Sequence, residues 1–179
     1  MRLLATFAVM LFVGHAHGQD WTEADVELYR NATVVRVNNC VDRYEAVRKM
    51  SVDVLGDYVV AKALQANANW LWGSLVYGFQ QAADDEGLVG TTIGACKERY
   101  LTAEADRALG YEKMMEGLAL FIEAEELQGK KDWQAAGPKF VEASGKVLGA
   151  YAILGGAFDA QLINMDNLGI VMQVLWKYQ

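Results

Sequence analysis

One proline, Pro138, stands in 179 residues, so almost no position forbids the backbone from being helical. Heavy use of Ala, Leu and Val points the same way, toward long helices rather than a turn-rich sandwich. Apolar residues recur at three- and four-residue spacing, and no alternating strand pattern competes.

Thr22 followed by acidic Glu23 and Asp25 reads as a capped start, leading into a short helix through about Arg36. Asn38-Asn39 breaks it, and a short segment from Cys40 to about Met50 completes an N-terminal helical hairpin. Ser51 and Asp53 open the first long helix, with Val52, Leu55, Val59, Ala63, Ala66 and Trp70 as its buried face. Gly87 and Gly90 punctuate the next turn. The second long helix, capped by Thr91 or Thr92, runs to Gln128 before Gly129 and buries Leu101, Ala105, Ala108, Met115, Leu118 and Ile122. A third buries Phe140, Ala143, Val147, Ala150 and Leu154 and closes at Gly155-Gly156. The last, about Asp159 to Lys177, buries Met165, Leu168, Met172 and Leu175. The expected fold is all-α: an up-down-up-down four-helix bundle with a short N-terminal helical hairpin.

Residues 1–18 read as a secretory leader, with Arg2 before an apolar run at 3–13 and a small-x-small site at Ala16-His17-Gly18. The run is too short to span a membrane, and no later stretch is expected to replace it. Residues 19–179 then form a single domain in an oxidising compartment, large enough to bury a sizeable core. The only histidines, His15 and His17, leave with the leader. Histidine acid–base chemistry, Ser-His-Asp or Cys-His sites and His-ligated metals leave with them. Loss of Arg2 takes the formal charge from −7 to −8, an unfavourable balance for nucleic acid or an anionic membrane. Asn31-Ala32-Thr33 is an N-glycosylation sequon, so Asn31 is a candidate glycan carrier. Pairing of Cys40 with Cys96 would close a loop of roughly 57 residues, worth about 4 kcal/mol.

Catalytic constellations are lacking. Asp84-Asp85-Glu86 and the acids from Glu123 to Glu126 read as solvated faces, no Glu-x-x-His motif offers di-iron ligands, and the glycines form no phosphate loop. No enzyme, metal or cofactor is expected. Trp70 reads as core, and Trp72 as a partly exposed aromatic, packed on the hairpin or available to a partner. Gly137-Pro138-Lys139-Phe140 reads as a helix start with Phe140 the first core residue. Met114, Met115, Met165 and Met172 support an alternative, a secreted helical carrier of an apolar ligand.

Several segments together resemble the plant invertase/pectin methylesterase inhibitor family. They are Asn31-Ala32-Thr33 with Val37-Asn38-Asn39-Cys40-Val41, then Gly56-Asp57-Tyr58-Val59-Val60-Ala61-Lys62-Ala63-Leu64 with Ala66-Asn67-Ala68. Ala95-Cys96-Lys97-Glu98-Arg99-Tyr100, Lys131-Asp132-Trp133 with Ala143-Ser144, and Asp166-Asn167-Leu168 through Leu175 complete the set. The resemblance implies a secreted inhibitor of the apoplast and cell wall, or of the vacuole. Such a protein blocks an acid invertase or a pectin methylesterase in a one-to-one complex. In the invertase-directed branch a Pro-Lys-Phe segment enters the target's cleft, which maps the target-binding role to Pro138, Lys139 and Phe140. The chain departs from the family pattern in carrying two cysteines rather than four, since Leu28 or Tyr29 and Leu154 occupy the other positions. That departure implies two unpaired thiols at Cys40 and Cys96, with a dimer through a free cysteine as one outcome.

Overall fold

The computed structural model describes residues 20–179; the expected leader at 1–18, with His15 and His17, lies outside the described residues. The described chain is an all-α bundle of four helices. Helix α1 spans Glu23–Asn67, α2 Trp70–Tyr77, α3 Phe79–Gly129 and α4 Trp133–Leu175, and a 3₁₀ turn, Trp176–Tyr178, follows. At 1.5 Å per residue the long helices make a rod about 65–75 Å in length.

Local chemistry sets the ends. Thr22 and Asp25 form the reciprocal capping box that their spacing predicts: Asp25 N donates to Thr22 Oγ1 (3.2 Å) and Thr22 N to Asp25 Oδ2 (3.1 Å). Asn69 caps α2 by accepting from Trp72 N at 3.0 Å. Gly78, at φ 99°, makes the turn from α2 into α3, a conformation a side chain would disfavour. Lys131, at φ 59°, turns the chain between α3 and α4, and Asp132 then caps α4 through Ala135 N at 3.2 Å.

Helix α4 lies between the other two long helices. It runs parallel to α1, pairing Thr33 with Phe140, Arg36 with Ser144, Arg43 with Tyr151 and Ser51 with Gln161. It runs antiparallel to α3, pairing Glu123 with Lys139, Glu116 with Lys146, Arg99 with Asn164 and Asp85 with Tyr178. The α3–α4 seam is close because α3 offers glycine there. A Cβ on Gly110 would fall 2.7 Å from Leu154 Cγ, and one on Gly117 2.6 Å from Val147 Cγ2.

The core is apolar in blocks with a polar layer between two of them. Cys40, Val47, Ala103, Met114, Val147, Ala150, Leu154 and Ala157 form one block; Val54, Ala61, Val89, Ile93, Cys96, Leu168, Val171 and Leu175 form another. Between them Arg99 donates to Asn164 Oδ1 (2.9 Å), Asn164 to Gln161 Oε1 (3.0 Å) and Gln161 to Ser51 Oγ (3.2 Å). A layer satisfied only by partners on three different helices penalises any slip along the rod, because a slip would strand buried polar atoms. Among the described residues no buried side-chain polar atom lacks a partner.

The chain is divided differently from the expectation. In place of the N-terminal hairpin there is one continuous α1, which passes through Asn38-Asn39. Gly87, Gly90 and Gly155-Gly156 likewise sit inside helices. Each such residue costs a helix at most about 1 kcal/mol, less than burial of the neighbours that continuity keeps in the core, such as Cys40, Val89 and Leu154. The expected third and fourth long helices are therefore a single α4, and the short helix lies between α1 and α3.

The buried stripes divide sharply. Those on α4 are inward as expected: Phe140, Ala143, Val147, Ala150, Leu154, Leu168 and Leu175 are all fully buried. Leu118 and Trp70 pack against the core as expected, but most of the others expected on α1 and α3 face outward instead. Val52 is 66% exposed, Val59 58%, Leu101 58% and Ile122 58%. The inward faces are Val47, Ser51, Val54 and Ala61 on α1, and Ile93, Cys96, Ala103, Gly110, Met114 and Gly117 on α3. Each helix carries two apolar faces, and on α3 the one that holds Gly110 and Gly117 faces α4 because it allows the closer approach. A third apolar expectation also changes: by length and composition alone, with mean hydropathy 1.2, Trp133–Tyr178 is a stretch apolar enough to cross a membrane. Here that stretch is the central helix of the bundle.

Candidate functional site

The most unusual surface is the α2 end of the rod. Residues 63–83 carry no charge. Helix α2 turns Trp70, Gly73, Ser74 and Tyr77 toward the bundle and leaves the others outside. Leu71 is 71% exposed, Trp72 60%, Leu75 65%, Val76 55% and Phe79 71%. With half-exposed Tyr77 this gathers six large apolar side chains within nine residues of sequence, and Trp176 on the following 3₁₀ turn is exposed too. A typical monomer's largest apolar patch is roughly 300–600 Å², and half-exposed aromatics contribute about 100 Å² each, so this end is at the upper limit.

The tip is held rigidly from below. Tyr178 is fully buried and its ring lies 4.4 Å from Trp70 and 6.0 Å from Tyr77. Its hydroxyl donates to Asp85 Oδ2 at 2.7 Å, and its carbonyl accepts from Asn69 N at 2.7 Å. A Cβ on Gly73 would lie 2.1 Å from that ring, so α2 seats only with glycine there. Burial, reinforced by the neighbouring Asp85 carboxylate, pushes the Tyr178 phenol up to about 12. Asp85 belongs to the acidic run expected to be a solvated face; it is 6% exposed and also accepts from Gln81 at 2.8 Å, with Lys177 3.7 Å away. Asp84 stays exposed, as expected.

The residues singled out from sequence lie elsewhere. Pro138, Lys139 and Phe140 sit in the second turn of α4, at the opposite end of the rod. Phe140 is fully buried with Val26, Tyr29, Ala124 and Ala136, and its ring centroid is 5.5 Å from Phe121. Lys139 pairs with Glu123, and that hydrogen bond holds its ammonium above the usual range. Pro138 alone faces solvent. The three residues are brought together by sequence, but only one side chain points freely outward. Asn31 is exposed on α1 beside Glu27, 3.3 Å away.

Cys40 and Cys96 are unpaired and buried in different core blocks, and burial pushes both thiols above the ordinary range. Neither sulfur is at the surface to join two copies. Met114 is in one block, Met165 and Met172 border the other, and Met115 is 45% exposed, so the four do not line a common cavity. Glu125 pairs with Arg30. Among the described residues no group of three or more His, Cys, Asp or Glu is placed to hold a metal ion.

Sequence reasoning singled out Trp72 and missed its neighbours. The available signal was density: six large apolar residues crowded into nine, with no charge for ten residues on either side of Gly73, cannot all turn to one face of a short helix. No family model, curated protein or solved structure matches this chain.

Proposed function

We propose that the chain is a non-catalytic binding protein that presents its α2 tip to an uncharged, apolar surface on a partner protein. The observation that carries this reading is the exposure of Leu71, Trp72, Leu75, Val76 and Phe79 on a helix that Tyr178 locks in place. A fixed apolar surface binds without the ordering cost of a flexible one. Aromatic anchors of this kind also dominate known interface energetics. The charge-free run at 63–83 selects a partner surface that is itself uncharged, since a charged one would be desolvated without compensation.

Stoichiometric inhibition of a secreted acid invertase or pectin methylesterase is the specific form suggested by the resemblance to plant inhibitors. In that form the tip is the inhibiting surface. Phe140 cannot enter a cleft without emptying the core it fills. The test titrates the purified protein against one acid invertase and one pectin methylesterase at apoplastic pH, beside a Trp72→Ser/Leu75→Ser variant. Near one-to-one loss of one activity, abolished in the variant, supports tip-mediated inhibition. Inhibition retained by the variant discards the tip, and two unaffected enzymes discard the inhibitor form.

A further inference from the structure

We propose that the groove between α1 and α4 at Arg36 and Tyr151 is a binding site for a small organic carboxylate with an apolar body. The groove, about 180 Å³ in volume, is lined by Arg36 and Asn39 from α1 and by Val147, Leu148 and Tyr151 from α4. It lies in the half of the rod toward the α3–α4 turn, away from the α2 tip. Two ties between the helices bound it, Arg36 to Ser144 and Arg43 to Tyr151. They are seven residues apart on each helix, about 10 Å along the rod, and the groove is the space between them.

Every polar side chain that lines the groove can donate a hydrogen bond, and none is an acid. Arg36 Nη1 donates to buried Ser144 Oγ, which holds the guanidinium at one end. At the other end the Tyr151 hydroxyl accepts from Arg43 Nη2 at 2.8 Å, so its own proton is left for a further acceptor. Asn39, between them, is exposed and its amide has no hydrogen bond to another described residue. The Arg43 guanidinium lies 4.8 Å from the Tyr151 ring centroid and is in none of the described ion pairs. Asp42, its neighbour on α1, is exposed and does not line the groove. In a chain of formal charge −7, a groove with a guanidinium at each end and no carboxylate along it is matched to an anion. Desolvation lowers the Arg36 guanidinium from its ordinary value, and an anion beside it would reverse that shift.

The apolar wall selects an organic anion over an inorganic one. Fully buried Val147 and half-exposed Leu148 form it; a hydrated ion leaves that surface wet, whereas a ring or short aliphatic chain covers it. The volume limits the body. At roughly 30 Å³ for each water the groove equals about six waters, room for one six-membered ring with its carboxylate. Arg36 supplies the planar fork that matches both carboxylate oxygens, and Asn39 and Tyr151 supply directional donors. All of these side chains stand on packed helices, so little has to be ordered when the ligand enters.

Titration of the purified chain with sodium benzoate, followed by amide-resolved NMR, tests the site. The expected result is saturable shifts of the Asn39 side-chain amide and of the Val147, Leu148 and Tyr151 backbone amides, with a dissociation constant on the order of 0.1 mM. Benzamide has the same shape without the charge and is expected to bind at least about tenfold more weakly. Arg36→Gln removes the fork but also the contact with Ser144, so Asn39→Asp is the second variant, with circular dichroism checking that each is folded. Asn39→Asp changes an exposed side chain by charge alone and sets a carboxylate against the ligand. Each variant is expected to weaken benzoate binding by about tenfold or more, and in Asn39→Asp the preference for benzoate over benzamide should vanish. Shifts that do not saturate by about 10 mM, equal affinity for benzoate and benzamide, or an Asn39→Asp variant that binds benzoate as the wild type does would each overturn the assignment.

Discussion

At the α3–α4 hairpin end, Trp21, Tyr29, Phe121, Trp133 and Phe140 close on one another around a fully buried phenylalanine. At the α2 end an equally aromatic set is split, with Trp70 and Tyr178 packed inward, Tyr77 half-exposed at the edge of Tyr178, and Leu71, Trp72, Leu75 and Phe79 left in solvent. Composition does not separate the two ends; anchoring does. The hairpin end is closed by the segment preceding α1. Trp21 lies over Gly137, where a Cβ would fall 2.1 Å from the indole, and exchanges hydrogen bonds with Gln134 at 3.2 and 3.1 Å. At the α2 end no described segment covers the outer face of the short helix. The same chemistry gives a closed core at one end and an exposed apolar surface at the other.

That contrast is sharpest in substitutions. Phe140→Ala empties the middle of the closed end and is expected to destabilise by about 3–5 kcal/mol in urea unfolding. A loss below about 1 kcal/mol would mean that the closed end is not the stabilising one. Gly137→Val drives a side chain into Trp21, and overpacking of this kind costs about 1–3 kcal/mol; tryptophan fluorescence should shift as the indole is displaced. At the open end Tyr178→Phe keeps the ring and removes the hydroxyl from Asp85, an expected loss of about 1–3 kcal/mol. It also changes the alkaline limb. Because the Tyr178 phenol is raised from 10.0 to about 12 in the folded state, its contribution is complete below pH 10 and is lost as pH rises through about 12. The phenylalanine variant should lack that part of the alkaline fall, as read by thermal melts across the range. Trp72→Ser/Leu75→Ser should change stability by no more than about 0.5 kcal/mol per site while removing most of the binding of an apolar fluorescent dye. A large stability loss there would show that the tip is structural.

How much of this was legible in the sequence follows from how many apolar faces each helix has. In α4 the stripe from Phe140 to Leu154 was readable because that helix packs against both other long helices and its regular apolar spacing falls on the face between them, although Leu148, Leu162, Ile163 and Ile170 stay exposed. In α1 and α3 two apolar stripes compete, and periodicity does not say which will be chosen. On α3 the outcome follows Gly110, Gly117 and Ala103, whose lack of bulk sets the distance to α4. Small residues score weakly as apolar, so the tightest seam was the faintest signal. Thr22 and Gly129 marked helix ends correctly because capping is local. Asn38-Asn39 and Gly155-Gly156 failed as breaks because a weak local cost yields to burial along a 45- or 43-residue helix. Asp85 was misread because its partner, Tyr178, is 93 positions away.

The lock on the tip also imposes an order of events. Trp70 to Phe79 leave the ribosome well before Tyr178, the residue that seats them. Domains emerge N-terminus first at roughly 5–20 residues per second, so these apolar side chains wait several seconds without their anchor. During that interval α2 has neither the tyrosine ring over Gly73 nor the carbonyl that receives Asn69 N. The apolar tip is thus seated among the last parts of the described chain. Removing residues 176–179, or displacing Tyr178, would release a sticky loose helix instead of a fixed one.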